Sequence, residues 1–376
     1  MHYRRFGKTN LNLSAFSLGA MRYLASEENA YKTIDRAVAL GINHIETARG
    51  YGDSELYLGA ALKKGLPVPR SQLHITTKIP PTTDAESIRC YIDESLERIG
   101  VDYLDCLAIH GINNWEHLDL VRRSHGCMQA VREAVADGRV RHVGFSTHAS
   151  LDVILAAIAT DLFEFVNLHY YYFFQRHAPA IELAHSKDMG VFIISPADKG
   201  GLLYTPPETL KDLCQPFSPL ELNYRFLLSD RRITTLSIGA ATPEELNVPL
   251  QVADCDTPLT DAEIAVLQRL ETHAATTLAS DRCSQCYKCL PCPEKINIPE
   301  VLRLRNLTIA YNMQEYGKYR YQMFENAGHW FPGMKANKCT QCGDCLPRCP
   351  EKLDIPQLLS DTHDRLNGSP RRRLWG

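Results

Sequence analysis

The sequence predicts an α/β fold in which a (β/α)8 TIM barrel is followed by a small, mainly helical domain rich in cysteine. Three observations lead to this prediction. Short β-type runs alternate with amphipathic helical stretches eight times over about the first 250 residues. Eight of the 13 cysteines lie near the C-terminus. Glycines end several helical stretches, where a left-handed C-cap is needed before the next strand: Gly41, Gly100, Gly138 and Gly190.

The eight βα units follow one another without interruption. The first four pair the runs SAFSLGA, INHIET, LHITTK and DYLDCLAIH with helices predicted at 28–40, 54–64, 84–99 and 126–137. The next four pair VRHVGFS, FEFVNLH, GVFIISP and TTLSIG with helical stretches predicted at 150–159, 177–188, 218–229 and 243–251. A doubly wound sheet is the structural alternative, but no GxGxxG motif follows the first strand.

The chain has 376 residues, more than one hydrophobic core usually organises, so we expect two domains. The predicted boundaries are a barrel at 1–255, a helical linker at 256–279, a cysteine-rich domain at 280–362 and a basic tail at 363–376.

The net charge of −3 gives no electrostatic footprint for nucleic acid. No run approaches 18 apolar residues, and the opening MHYRRFGKTNLNLS lacks the apolar core of a signal peptide. We therefore expect a soluble, cytoplasmic protein without nucleic-acid or membrane partners.

The eight C-terminal cysteines form two runs, CxxCxxCxxCP and CxxCxxCxxxCP. Three thiolates at CxxCxxC spacing converge on one loop, as a cubane [4Fe-4S] cluster requires, and a fourth comes from elsewhere. Zinc sites use CxxC pairs and disulfides need an oxidising compartment, so iron–sulfur clusters are favoured over both. The first run is one residue short before its last cysteine, which leaves the role of that cysteine open. The predicted ligands are Cys283, Cys286, Cys289, Cys292, Cys339, Cys342, Cys345 and Cys349.

Both runs resemble bacterial-type ferredoxin motifs, and the segments around them repeat. PEKINIPEVL (293–302) follows the first run and PEKLDIPQLL (350–359) the second, at an offset of 56 or 57 residues. This duplication indicates two clusters. In two-cluster ferredoxins the fourth cysteine of each motif ligates the other cluster, so we expect Cys349 to complete the first triplet and Cys292 the second. The 46 intervening residues have helical apolar spacing, similar to the α-helical kind of ferredoxin domain.

Polar residues stand at the predicted carboxyl ends of three neighbouring strands, where TIM barrels carry their chemistry. Glu46 and Tyr51 follow the second strand, Lys78 ends the third and His110 ends the fourth. The segments GINHIETARGYGDSE (41–55), ITTK (75–78) and CLAIH (106–110) resemble the signatures of the aldo-keto reductases. The resemblance continues through VRHVGFS and LSIGAATPEEL, and YRRFGKTNLNLS is similar to that family's N-terminal hairpin.

The resemblance implies that a tyrosine, here Tyr51, protonates the oxygen of an aldehyde or ketone while NADPH supplies hydride. A phenol has a pKa of about 10, so Lys78 is expected to stabilise the phenolate. The resemblance assigns Glu46 to the orientation of Lys78, and His110 to the substrate oxygen or to proton relay. The family normally has aspartate at this carboxylate position. The longer Glu46 either adopts another rotamer or displaces the lysine, and a displacement of about 1 Å can cost a factor of 10² in rate.

The implied cofactor-binding residues are Ser146, Asn167, Ser195 and Gly239. Four neighbouring positions depart from the family. Thr147 stands where the family has asparagine, and Leu168 stands where it has glutamine. Ile194 replaces the tyrosine that stacks on nicotinamide, and Ala241 replaces a basic residue that binds the 2′-phosphate of NADP. The cofactor is thus expected to be NADP(H) or NAD(H), and the choice stays open.

These features predict an oxidoreductase of aldo-keto reductase type, which reduces a carbonyl or oxidises an alcohol and is coupled to electron transfer through two [4Fe-4S] clusters. Its expected partners are a small carbonyl or alcohol substrate and a redox protein. Clusters pass one electron and nicotinamide delivers two, so coupling needs a converter such as flavin, for which the sequence shows no convincing motif. One alternative is an electron-transfer or redox-sensing protein whose barrel binds a ligand or partner without hydride transfer. Another is that the clusters are purely structural.

Overall fold

The computed structural model describes residues 1–368, which form two compact units. The first unit combines residues 1–200 with 223–258, and the second combines 201–222 with the chain from Leu259 onward. The strands are β1 (Tyr3–Arg5), β2 (Asn12–Ser14), β3 (Phe16–Gly19), β4 (His44–Glu46), β5 (His74–Ile79), β6 (Leu104–His110), β7 (Val140–Ser146), β8 (Phe165–Leu168), β9 (Gly190–Ile193) and β10 (Thr235–Ile238). The helices are α1 (Glu27–Ala39), α2 (Ser54–Lys64), α3 (Ala85–Ile99), α4 (Trp115–Arg122), α5 (Cys127–Ala136), α6 (Leu151–Ile158), α7 (Ala178–Ser186), α8 (Glu208–Cys214), α9 (Pro219–Leu228), α10 (Asn247–Leu250), α11 (Asp261–Leu278), α12 (Ile298–Tyr311), α13 (Gln314–Tyr321) and α14 (Ile355–Leu366).

Strands β3 to β10 form a closed parallel barrel in the order β10-β3-β4-β5-β6-β7-β8-β9. Each strand therefore lies beside its neighbour in the sequence, and β10 closes the barrel against β3. The predicted TIM barrel is confirmed, and each of the eight β-type runs coincides with one of its strands, β5 extending one residue beyond its run. All eight strands point their carboxyl ends to the same mouth.

An N-terminal hairpin packs under the barrel. Strands β1 and β2 pair antiparallel, with Tyr3 opposite Ser14, as the opening sequence predicts. The hairpin buries Phe6 among core residues that include Phe165 and Phe192 of β8 and β9. A Cβ on Gly190, the first residue of β9, would lie 2.2 Å from the Phe6 ring, so this approach requires glycine.

Three connections differ from the sequence prediction. The loop after β6, for which no helix is predicted before residue 126, contains α4. The N-terminus of α4 is capped because Asn114 Oδ1 accepts a hydrogen bond from the His117 N–H at 2.8 Å. Helix α8 lies between β9 and β10 and belongs to the second unit. The helix predicted at 243–251 is instead a 3₁₀ turn at Pro243–Leu246 followed by the short α10. Pro249 lacks the N–H that a longer helix would use.

The second unit is helical in its described part. Most of the predicted linker 256–279 is α11, which begins with a capping box between Thr260 and Glu263. Helix α12 is almost wholly buried and contains an ion pair between Glu300 Oε1 and Arg303 Nη2 at 2.6 Å. Residues 363–366 of the predicted basic tail complete α14, and residues 369–376 lie outside the described residues. Within residues 1–368, no helix is long and apolar enough to cross a membrane.

Candidate active site and cysteine-lined cavities

Four predicted catalytic residues lie at the mouth of the barrel. Glu46 is the last residue of β4, Lys78 lies near the end of β5 and His110 ends β6. Tyr51 lies in the turn after β4, where its N–H donates to the Ala48 carbonyl at 3.0 Å. This turn brings Tyr51 back over the strand ends, so the four side chains form one cluster at the mouth of the barrel.

Lys78 is the centre of this cluster. Its Nζ lies 2.9 Å from Glu46 Oε1 and donates to the Thr47 carbonyl at 2.8 Å and to the Tyr51 hydroxyl at 3.3 Å. These three acceptors match the three N–H bonds of an ammonium group, which allows it to stay charged although its side chain is only 2% exposed. The His110 ring meets the Tyr51 ring edge to face, with centroids 5.6 Å apart.

Burial governs the proton affinities of this cluster. Burial raises the pKa of Tyr51, and the opposing effect of Lys78 is smaller, so the net shift is opposite to the one expected from the lysine alone. Burial disfavours the charged form of Lys78, yet Glu46 and Tyr51 together outweigh it and raise the lysine pKa. Burial, reinforced by Lys78 and Lys199, lowers the pKa of His110 to about 3. At neutral pH the site therefore holds a phenol, an ammonium and a neutral imidazole.

Glu46 forms the ion pair with Lys78 although its side chain is one methylene longer than the aspartate of the family. The same Oε1 that pairs with Lys78 also accepts a hydrogen bond from Asn167 Nδ2 at 2.7 Å. Asn167 is fully buried, and its Oδ1 has no hydrogen-bond partner among the described residues. An unsatisfied buried oxygen is unfavourable, so this atom is suited to a ligand that brings an N–H donor.

Two of the predicted cofactor-binding residues form a polar pair. Ser146 ends β7 and lies opposite Asn167 in the parallel register. Its Oγ accepts a hydrogen bond from the Gly111 N–H at 3.1 Å, which leaves the hydroxyl hydrogen to be donated. Ser146 and Asn167 thus offer one donor and one acceptor side by side, which matches the C=O and NH₂ of a carboxamide.

The other two predicted cofactor-binding residues follow β9 and β10. Ser195 adopts a left-handed conformation with φ of 52°, and the Gly239 carbonyl accepts from Arg22 Nη1 at 2.6 Å. Arg22 also pairs with Glu245 at 2.8 Å, and that carboxylate accepts from the Ala241 N–H at 3.1 Å. This pair was not predicted from the sequence, because Arg22 lies in the loop after β3 and Glu245 in the 3₁₀ turn after β10, and the two meet only in the fold.

Two of the four departures from the family have structural consequences. Thr147 Oγ1 donates to the Ile112 carbonyl at 2.7 Å, so this hydroxyl is used within the barrel. Leu168 is fully buried. Neither side chain carries the amide expected from the resemblance.

A hydrogen-bonded chain of imidazole and phenol groups follows β7 and β8, and it was not predicted from the sequence. His148 Nδ1 and His169 Nε2 are 2.9 Å apart, and His169 Nδ1 bonds the Tyr171 hydroxyl. Tyr170, in the aromatic run 169–174, stacks on Phe226 with centroids 5.7 Å apart. This part of the run therefore packs within the first unit, whereas Trp115 is 48% exposed.

The eight predicted ligand cysteines line two cavities in the second unit. One cavity is lined by Cys283, Cys286, Cys289 and Cys349. The other is lined by Cys292, Cys339, Cys342 and Cys345. Each cavity thus combines three cysteines of one run with the last cysteine of the other. All eight are free thiols in the described chain, and no three or more His, Cys, Asp or Glu residues within 1–368 are grouped to hold a single metal ion.

The two cysteine loops have matching backbones. Gln285 and Gln341 have the same φ of 58°, and Lys295 and Lys352 have φ of 55° and 54°. Left-handed conformations are uncommon for residues other than glycine, so their recurrence shows that both loops turn in the same way. The sequence repeat is therefore also a structural repeat.

Comparisons with known proteins agree with this architecture. A model of the aldo/keto reductase family matches residues 15–272. This chain belongs to the aldo/keto reductase family. A 4Fe-4S dicluster domain model matches residues 282–353, so this aldo/keto reductase carries an iron–sulfur domain at its C-terminal end.

Its relatives include enzymes of known and unknown activity. L-galactose dehydrogenase of Arabidopsis thaliana is 32% identical over 224 residues, which cover 54% of this chain and 68% of that protein. The uncharacterized oxidoreductase YqkF of Bacillus subtilis is 24% identical over 305 residues, covering 71% of this chain and 96% of that protein. The holo form of the aldo-keto reductase AKR11C1 from Bacillus halodurans has a TM-score of 0.62 at 23% identity, covering 72% of this chain and 96% of that chain, which shows the shared fold.

Proposed function

We propose that this aldo/keto reductase reduces a small carbonyl compound, or oxidises the corresponding alcohol, with NAD(H) or NADP(H), and that two [4Fe-4S] clusters in its second unit exchange electrons with a redox partner. The observation that carries the first part is the contact chain from Glu46 through Lys78 to Tyr51 beside His110. The second part rests on the two cavities, each lined by four cysteines.

In this proposal Tyr51 is the proton donor to the carbonyl oxygen. Its raised pKa keeps the phenol protonated at neutral pH, which an acid requires before it reacts. Lys78 stabilises the phenolate that forms, because its ammonium already touches the hydroxyl oxygen and is fixed there by Glu46 and Thr47. His110 is a neutral imidazole, so it orients the substrate oxygen through a hydrogen bond rather than through charge.

The residues at the strand ends fit a nicotinamide cofactor, which supplies or accepts hydride when bound. Ser146 would donate to the carboxamide oxygen and Asn167 Oδ1 would accept from its NH₂ group, which satisfies the orphaned buried oxygen. Ser195 and Gly239 would line the path of the phosphates.

The cysteines fit two cubane clusters, each of which would carry one electron at a time. We assign Cys283, Cys286, Cys289 and Cys349 to one cluster and Cys292, Cys339, Cys342 and Cys345 to the other, which includes Cys292 despite the shorter spacing of its run. The set of four cysteines in each cavity supports clusters of the same type.

The test is substrate-dependent oxidation of NADH or NADPH by the cluster-containing protein, with a panel of small aldehydes and ketones. Tyr51→Phe removes the proton donor but keeps the ring that packs against His110. General acid catalysis contributes about 10² to 10⁴ in rate, so the variant should lose activity by that factor while its cofactor affinity stays unchanged. The absence of carbonyl-dependent oxidation by the wild-type protein would reject the proposal.

A second candidate is an electron-transfer or redox-sensing protein whose barrel binds a ligand without hydride transfer. One observation favours it. The Thr147 hydroxyl is already hydrogen-bonded within the barrel, and the buried Leu168 side chain has no polar group to offer a cofactor. Under this alternative Tyr51→Phe leaves the function unchanged, whereas the reductase requires the hydroxyl. If the clusters are only structural, chemical reduction of the clusters should leave both activity and partner binding unaltered.

A further inference from the structure

We infer that Glu46 positions the cofactor as well as the catalytic lysine, because it fixes the orientation of the Asn167 side-chain amide from across the barrel. This inference rests on the proposed function and extends it to a residue type that departs from the family. It concerns one acidic side chain with two partners: Lys78 on the adjacent strand and Asn167 on the far side.

The contact spans the barrel interior. Glu46 ends β4 and Asn167 lies in β8, and in the closed strand order three strands separate them on either side. Residues on opposite strands of the barrel meet only if a long side chain bridges the space. Glu46 does so with a single oxygen, which accepts from Asn167 Nδ2 at 2.7 Å and from Lys78 Nζ at 2.9 Å.

The bond determines which way the amide faces. A carboxylate only accepts hydrogen bonds, so the NH₂ end of Asn167 must point to Glu46 and the oxygen must point away. That Oδ1 is buried and has no partner within the described residues. Rotating the amide by 180° would place two oxygens against each other and break the bond. Glu46 therefore holds an unsatisfied acceptor in one orientation, beside the donor of Ser146.

The nicotinamide carboxamide has the complementary groups. Its NH₂ can donate to Asn167 Oδ1 while its oxygen accepts from Ser146, and the two residues are paired in the register of β7 and β8. Without the bond to Glu46, Asn167 could turn its NH₂ toward the cofactor and would then oppose another NH₂ group. The orientation set by Glu46 therefore makes this part of the site selective for a donor on the ring substituent.

Two substitutions separate the roles of Glu46. Glu46→Asp keeps the charge but shortens the side chain by one carbon, about 1.5 Å, which takes the 2.7 Å contact beyond hydrogen-bond range. Glu46→Gln keeps the length and removes the charge, and because the Lys78 ammonium can only donate, the glutamine oxygen should still face Lys78 and Asn167. The aspartate variant should lose the orientation of Asn167, and the glutamine variant should retain it.

The experiment compares the binding of the dinucleotide with that of its 3-acetylpyridine analogue, in which a methyl group replaces the carboxamide NH₂. Dissociation constants are measured by fluorescence or calorimetry on the full, cluster-containing chain, with NAD and NADP each tested. One hydrogen bond corresponds to a preference of about twofold to tenfold, so the wild type and Glu46→Gln should prefer the carboxamide by that factor. Glu46→Asp and Asn167→Ala should bind both dinucleotides equally.

The double variant Glu46→Asp with Asn167→Ala provides the control for indirect effects. It should show the same lack of discrimination as either single variant, because both substitutions remove the same hydrogen bond. Circular dichroism and the cluster absorbance establish that each variant is folded. Discrimination that persists in Glu46→Asp overturns this inference and leaves the proposed function intact. A wild-type protein that binds neither NAD nor NADP overturns the proposed function, and this inference with it.

Discussion

Replacing Lys78 with methionine would leave the Glu46 carboxylate buried without its cation. The two side chains are 2% and 5% exposed and their charged atoms lie 2.9 Å apart. After the substitution Glu46 Oε1 keeps only the hydrogen bond from Asn167. Methionine has a similar length, so little packing is lost, and the main effect is an uncompensated buried charge. Breaking such a pair costs about 3–5 kcal/mol, which is the destabilisation we expect for the barrel.

A matched double variant isolates this cause. Adding Glu46→Gln to Lys78→Met removes both charges and keeps an acceptor for Asn167. Replacing both partners of a buried ion pair is often close to neutral, so the double variant should recover at least half of the lost stability.

Hydrogen exchange of the amides in β4 and β5, followed by mass spectrometry, is the appropriate assay. The protein has two units and cysteine-lined cavities, so global unfolding is not expected to be two-state. Lys78→Met should exchange these amides faster than the double variant does. Equal protection in the two variants would refute the claim that Glu46 depends on Lys78 for its burial.

Three further predictions concern other parts of the chain. The first concerns His110, whose pKa is lowered to about 3, so that the imidazole has lost its proton well below neutrality. The pH profiles of kcat/KM for the wild type and for His110→Gln should therefore have the same ionisations between pH 5 and 8. A step near pH 6.5 that is present in the wild type and lost in the variant would contradict this. Cys349→Ser and Cys292→Ser should each perturb a different cluster, so the electron paramagnetic resonance spectra of the two reduced variants should differ from each other. Identical spectra for the two variants would argue against the proposed ligand sets. Gly190→Ala would place a Cβ 2.2 Å from the Phe6 ring and should destabilise the barrel by about 1–3 kcal/mol, as measured by hydrogen exchange. The control is Gly50→Ala, which should be nearly neutral because no atom lies within 4 Å of the added Cβ.

The barrel was predictable because its signals are local. Each βα unit is encoded by a short apolar run, an amphipathic stretch and, in several cases, a glycine such as Gly100, which ends α3 in a left-handed conformation. The connections were less predictable. Helix α4 depends on a single cap at Asn114, and α8 gains its neighbours from residues far along the chain, since Arg269 of α11 donates to the Leu213 carbonyl at 2.8 Å.

Motifs predicted which residues meet at the candidate site, but not how they interact. The positions of Tyr51, Lys78 and His110 follow from strand ends. The bond between Glu46 and Asn167 joins residues 121 positions apart on opposite strands, and no local pattern encodes it. The direction of the tyrosine pKa shift was also beyond the sequence, because it depends on the balance between burial and a nearby charge.

An anaerobic titration with NADH and NADPH tests the central claim, that one chain joins a nicotinamide-dependent barrel to two electron-carrying clusters. The protein is purified without air, its iron and sulfide are counted, and nicotinamide fluorescence and cluster absorbance are recorded together. The expected results are about eight irons and eight sulfides per chain, the absorbance of assembled clusters, and saturable binding of one of the two cofactors. About eight irons without any nicotinamide binding would contradict it and would indicate a cluster-dependent redox protein built on a barrel that no longer uses the cofactor.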